Sequence, residues 1–343
     1  MDYERGADVF ESRNTFIDYT LEGFVNYNTS FSDVHNIKAM FGGSYFERRG
    51  EGINGTGFNP INNSLQFADI GASQETGLVT LNQAGSFQGS ERLVSLFARA
   101  EYNYDGRYLL SAVIRRDGSS KFGPNNRFGY FPSISAGWII SDEDFFDFGP
   151  ISFAKFRASY GVSGNDQIGD FQYRALLGGE AEYVFNDAIQ TGAAIGKAGN
   201  PDLKWETTKQ TNIGLDLTLL DNIDFTVNYF IKDTDDLLFT PDVSAIIGTY
   251  GAGGVPPTIN GGNVRNTGWE FDLGYATQLS NGIGITLGYN ATLLDNEVTE
   301  TPEGVDFIPG AQFNIGGNIA TRFETGFPIG YMIGFETDGV YQT

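Results

Sequence analysis

The chain predicts an all-β fold, an antiparallel β-barrel of the membrane-spanning kind. Three observations carry that reading. Segments of strictly alternating polarity follow one another from end to end of the 343 residues. Their connections are alternately short and long. Aromatic residues are abundant, with 29 Phe and 17 Tyr. Side chains alternate across a strand, so each segment has one apolar and one polar face. Repetition of that pattern, with turns short at one rim and long at the other, is the signature of a membrane barrel. No apolar run reaches the ~18 residues a spanning helix needs.

Alternation marks about eleven strands. The first runs near Phe16–Asn28, setting Ile17, Tyr19, Leu21 and Val25 against Asp18, Thr20 and Glu22. A turn at Ser30–Asp33 leads to the second, near Asn36–Phe46, and Glu47–Glu91 is expected to be a long Gly- and Asn-rich loop. The third, Leu93–Tyr104, ends in the Asp105-Gly106 hairpin, which needs positive φ. Tyr108–Arg116 and Phe128–Ile140 follow, and then Ser141–Asp144 reads as a turn or helix start capped by Ser141. The sixth strand is Lys155–Val162, and Ser163–Thr208 is long and irregular. Ile213, Leu215, Leu217 and Leu219 mark the seventh, a turn at Asp221-Asn222 follows, and Phe225, Val227, Tyr229 and Ile231 mark the eighth. Asp233–Asn266 is a third long loop. Gly268–Ala276 and Ile283–Leu293 are the ninth and tenth strands, and a weaker eleventh lies near Ile319–Phe335.

The polar face carries Asp18, Glu22, Arg99, Glu101, Arg157, Asp216, Glu270 and Asp272. Burying such groups unpaired costs several kcal/mol each, so the face suits a water-filled or plug-filled lumen. The apolar faces should then form one continuous outward band about 25 Å tall, through Ile213, Leu215, Phe225, Val227, Phe271, Leu273, Ile285 and Leu287.

Composition excludes several functions. A net charge of −22 repels nucleic acid, whose phosphates call for clustered Lys and Arg. The absence of Cys removes disulfide frameworks and thiolate metal sites. His35 is the sole His, so Ser-His-Asp and Cys-His catalysis have no base elsewhere. Asp233, Asp235 and Asp236 lack EF-hand spacing, and a solvated acidic turn is the simpler reading. Gly251–Gly254 lacks the Lys of a phosphate loop. The chain is therefore expected to have no enzymatic activity, cofactor or metal.

Several blocks resemble one family. The stretch from Ser111 to Gly123, with Arg115, Arg116, Asp117 and Lys121, and the stretch Arg127–Trp138 resemble SusC/RagA-type TonB-dependent outer-membrane transporters. Phe156–Asn165, Asn200–Leu215 and Asn263–Glu270 are similar to later blocks of that family, in the expected order. The resemblance implies a Gram-negative outer-membrane location and a larger, 22-stranded barrel, plugged by an N-terminal domain. It also implies a SusD-like surface lipoprotein as partner, energy from the TonB complex, and import of oligosaccharide or peptide fragments. On that reading residues 1–343 are a partial barrel, lacking counterparts of a signal peptide, the plug, the TonB-contacting segment and the closing strands. An isolated piece with open edges is expected to aggregate.

Three residues are candidates for ligand or lid contact: Trp205, in a long loop, and Arg115 and Arg116, as clamps for an anionic substrate. Trp138 and Trp269 share faces with apolar residues and read as interface anchors. Two other classes compete with transport. A barrel whose loops bind partners as an adhesion surface would lack a plug. A secreted glycan-degrading β protein would need two carboxylates at catalytic separation.

Overall fold

The computed structural model describes residues 8–58, 60, 64, 69–70, 83–179, 182–192, 194–241, 256–311, 319–334 and 339. In chain order, β1 is Asp8–Phe31, β2 His35–Phe58, β3 Gln83–Tyr104, β4 Tyr108–Ser119, β5 Phe128–Ile139 and β6 Ile151–Asn165. Four short strands follow: β7 Leu176–Gly179, β8 Glu182–Phe185, β9 Ala188–Thr191 and β10 Ala194–Lys197. Then come β11 Glu206–Leu219, β12 Ile223–Asp235, β13 Leu238–Phe239, β14 Ile259–Asn260, β15 Asn263–Gln278 and β16 Gly284–Glu300. The last are β17 Phe307–Pro309, β18 Thr321–Glu324 and β19 Tyr331–Met332. One ten-stranded sheet runs β1-β2-β3-β4-β5-β6-β11-β12-β15-β16. Its neighbours from β4 through β16 pair antiparallel.

The chain divides into two compact units, 1–22 with 44–94 and 23–43 with 95–343. In the second, register sets the apolar residues side by side. Leu215 faces Val227, Val227 faces Phe271, and Leu273 faces both Phe225 and Tyr289. Ile213, Leu273 and Leu287 stay exposed at 48, 43 and 63%. An apolar face left open to this degree is a liability in water and the normal state in lipid.

An aromatic chain lines the short-turn rim of this unit. Phe31 stacks on His35 at 4.5 Å, His35 lies 5.0 Å from Tyr104, Tyr104 6.0 Å from Tyr108, and Tyr108 stacks on Trp138 at 6.5 Å. His35 Nδ1 is also 2.7 Å from the Tyr102 hydroxyl, so the sole His belongs to a girdle. Farther along β4 and β5, Arg116 lies 3.7 Å over the Phe128 ring and donates from Nε to the Tyr130 hydroxyl at 3.2 Å. Tyr108 is opposite Trp138, and Arg116 opposite Tyr130. Those eight residue steps span about 27 Å of strand, close to the height of an apolar band.

Neighbouring turns are tied in a row. Asp105 N–H donates to Val34 C=O (2.7 Å), Ile139 to Arg107 (2.8 Å), Leu220 to Pro150 (2.8 Å) and Ala276 to Asn222 (3.0 Å). The short turns therefore share one rim, as strand parity requires. The β11–β12 turn places its two left-handed residues at Leu220 (φ 53°) and Asp221 (φ 60°), one position earlier than the sequence suggests.

Three further expectations are corrected. The stretch 47–58 is not loop, because β2 runs on to Phe58 and β3 begins at Gln83. Its sequence does not alternate, and the first unit holds it by ion pairs instead. Arg48 bonds Asp18 at 2.8 Å and reaches Glu91 at 3.4 Å, and Glu47 accepts from Arg49 and Arg92 at 3.1 Å each. Ser141 does not cap a helix: the 3-10 turn Ile140–Asp142 starts from Ile139 with no side-chain cap. The eleventh strand is no stave, since β17, β18 and β19 form a separate small sheet. The chain there turns back on β16, where Val298 donates to Phe327 C=O and accepts from Gly326 N–H, both at 2.8 Å. Part of the last edge is thus covered. Among the described residues β1 and β16 do not pair with each other. The loop segment Gly251–Gly254 lies outside the described residues.

Candidate functional site: a polar wall and a knitted loop rim

The polar face of the second unit is built around Arg157. Its Nε and Nη2 donate to the Asp216 carboxylate at 2.9–3.1 Å, and Nη2 also donates to Asn228 Oδ1 at 2.6 Å. The Thr226 hydroxyl donates to the same carboxylate at 3.2 Å. Gly214 sits directly across from Arg157. A Cβ there would lie 3.1 Å from Arg157 Cζ and would clash with the Asn228 amide, so the missing side chain lets the guanidinium cross three strands. Arg99 and Glu101 form another pair on this face. The charges that would be costly alone are satisfied by one another.

The long-loop rim has its own small core. Phe122 and Leu203 are fully buried, with Trp205 and Phe131 nearly so. Trp205 lies 5.1 Å from Phe122 and 5.3 Å edge-on from Phe131. Pairing of β5 with β6 stops at Ser133, beside Pro132, which has no N–H to continue a ladder. The wedge left there is filled by Phe131 and Trp205. Gly164 makes room, since a Cβ on it would clash with the Phe131 ring and approach Trp205 Cε3 to 3.0 Å. The Trp205 indole N–H donates to Arg127 C=O at 3.2 Å. Glu206 accepts from Asn165 and from Leu238 N–H at 3.0 Å each. Asn200 donates to Thr258 C=O at 3.1 Å, and Asn260 donates to Lys204 C=O at 2.8 Å. Loops remote in sequence are thereby fixed as one platform.

The three candidate contact residues are not brought together. Trp205 is a core residue of the platform, only 7% exposed. Arg115 faces the polar side, bound to Asp117 at 2.7–2.8 Å and donating to Ser95 Oγ at 2.8 Å. Arg116 is on the opposite face of β4, over aromatic rings. Neither guanidinium points to a shared clamp. The acidic run is likewise divided, with Asp233 bound to Arg265, Asp235 to Lys209 and Asp236 to Lys204, at 2.6–2.8 Å. Among the described residues no three His, Cys, Asp or Glu gather to hold a metal.

Sequence reasoning missed two carboxylates that organise the rims. Glu143 accepts from the Tyr108 hydroxyl (2.5 Å), the Trp138 indole (2.9 Å) and Arg107 (3.4 Å). The Tyr108 hydroxyl, then the indole and Arg107, hold its carboxyl below the usual range. Glu47 is pulled from 4.5 to about 2 by Arg49 first, with Tyr45 and Arg92 assisting. Glu143 has no local signal, because Tyr108 and Arg107 reach it from a hairpin far back in the sequence, whereas Glu47 takes Tyr45 and Arg49 from its own strand and only Arg92 from β3.

A sheet with one lipid-suited face, two aromatic rows and a polar wall defines an outer-membrane β-barrel protein. The family described as "TonB dependent receptor-like, beta-barrel" matches residues 2–341, and the chain belongs to that family. It is 33% identical over 341 residues to TonB-dependent receptor P39 of Formosa agariphila, covering 97% of this chain and 30% of that protein. It is 35% identical over 241 residues to TonB-dependent receptor SusC of Bacteroides thetaiotaomicron, covering 68% of this chain and 23% of that one. The fold is similar to the RagAB peptide transporter, with a TM-score of 0.76, 23% identity, and coverage of 94% of this chain and 33% of that one. The chain spans about a third or less of the length of these relatives. The family is one of receptors and transporters of the outer membrane.

Proposed function

We propose that this chain forms part of the barrel of a TonB-dependent importer that takes up oligosaccharide or peptide fragments across the outer membrane. The single observation that carries this reading is the family match over nearly the whole chain, residues 2–341. The polar wall supports it, because satisfied charges facing a lumen suit passage of hydrated solutes. On this proposal residues 1–343 supply ten staves of a larger barrel. A plug, the remaining strands and the TonB contact come from the rest of the polypeptide. The knitted rim, with the short strands β7 to β10 beside it in sequence, is the surface that a SusD-like lipoprotein would cover. Catalysis plays no part.

The test is growth on a fragment mixture by the source bacterium. Deleting the full-length gene, or removing TonB, should abolish growth on the same fragments. The adhesion alternative is not favoured by the family. It would show itself as uptake unchanged by loss of TonB, with loss of binding to cells or surfaces instead.

A further inference from the structure

The outward face of the second unit is not evenly filled. A cavity of about 570 Å³ opens on it across the neighbouring strands β1 to β4. Its size is that of a pocket for a small ligand. Alanines keep it open: Ala39 on β2, Ala98 and Ala100 on β3, and Ala112 on β4. Tyr27 of β1 and Ile114 of β4 stand at its two sides. One step along that face, β3 and β4 carry Leu96 and Leu110 instead. A domain inside the lumen, or staves added beside β1, would not lie over this side of the wall.

Arg116 lies two positions beyond Ile114 on the same face of β4, about 7 Å along the strand and toward the long-loop rim. It is the sole charge on the outward positions of β4 and β5. Its contacts are the Phe128 ring at 3.7 Å and the Tyr130 hydroxyl, to which Nε donates at 3.2 Å. Among the described residues no carboxylate pairs with it. Rings hold a guanidinium in place without neutralising it, and both Nη groups remain to donate. The chain as a whole carries a net charge of −22, so a lone cation at this height is not part of a general basic surface.

We propose that Arg116 and the alanine-lined cavity together form a site for one phosphorylated lipid of the outer leaflet, with the phosphate on Arg116 and an acyl chain in the cavity. Long loops of such barrels face the exterior, which places Arg116 at the outer-leaflet headgroups and the cavity among the acyl chains below them. A planar guanidinium matches a phosphate with two parallel bonds. The assignment rests on the outer-membrane location and not on the import reading.

Native mass spectrometry of the purified full-length receptor in detergent counts bound lipid directly. The probes are diphosphoryl lipid A and the same lipid with its phosphates removed. One lipid A should be retained, and the dephosphorylated form should bind about tenfold more weakly or worse. R116Q should weaken lipid A binding by a similar factor. A100F, which fills the cavity and leaves Arg116 untouched, should also weaken it, and a large apolar side chain on this face leaves the fold intact. R265Q should leave binding unchanged: Arg265 shares the outward face of β15 with Trp269 but is already held by Asp233 at 2.6 Å. Three results would overturn the proposal. One is equal binding of the two lipids, or of lipid A to R116Q and the unaltered receptor. Another is displacement of lipid A by an equal concentration of inorganic phosphate, which would mean a free anion site. The third is an A100F receptor that keeps its lipid but loses a second copy of itself, which would make the cavity a contact between barrels.

Discussion

At the scale of single residues, glycines and carboxylates do most of the specifying. Gly214 and Gly164 are needed because a ring or guanidinium crosses where their side chains would be. G214V in the full-length receptor should displace Arg157 and leave Asp216 without its main partner. Breaking such a half-buried pair costs about 1–3 kcal/mol, read as a lower thermal midpoint. W205A should cost about 3–5 kcal/mol locally. Limited proteolysis should then cut between residues 120 and 127 and near 200, while the staves stay protected. Unchanged cleavage would show that Trp205 does not hold the platform. Glu47 gives a pH prediction. Its carboxyl is lowered, so its clamp is fully present above about pH 4.5 and is lost as pH falls toward about 2. A spin label at Ile53 should become more mobile across that window, and E47Q should show the mobile spectrum already at neutral pH.

At the scale of elements, legibility followed amphipathicity. Strands between the aromatic rows were readable, because one face must be apolar and the other polar; β4 begins at Tyr108 and β5 at Phe128, as the alternation indicates. The ends were not. β6, β11, β12 and β15 extend past the alternating stretch into positions such as Asn165, Thr207, Asp235 and Asn263, where both faces meet water and no pattern is selected. The same reason hid the length of β2 and β3, where Arg48 of β2 pairs with Glu91 of β3 and with Asp18 of β1 in the first unit. The false eleventh strand came from treating short apolar runs near Phe323 and Tyr331 as a stave, although Gly326 (φ 88°) and Gly330 (φ 69°) bend the chain back. The platform was half legible: its residues carry the family resemblance, but their mutual packing joins segments far apart in the sequence, as in the Phe122–Trp205 contact and the Trp205–Arg127 bond.

At the scale of the molecule, the central claim is that the apolar face meets lipid and the polar face meets the lumen. The chain lacks Cys, which suits single-cysteine labelling. Spin labels placed one at a time along β11 and β12 of the full-length receptor in liposomes report oxygen, which partitions into lipid, or a polar nickel chelate. Sites 213, 215, 225 and 227 should be accessible to oxygen. Sites 212, 214, 226 and 228 should not, and those reached by any probe should respond to the chelate. The period should be two, and the opposed pair Leu215–Val227 should behave alike. Oxygen access at the even β12 sites, or no alternation along β11, would contradict the account.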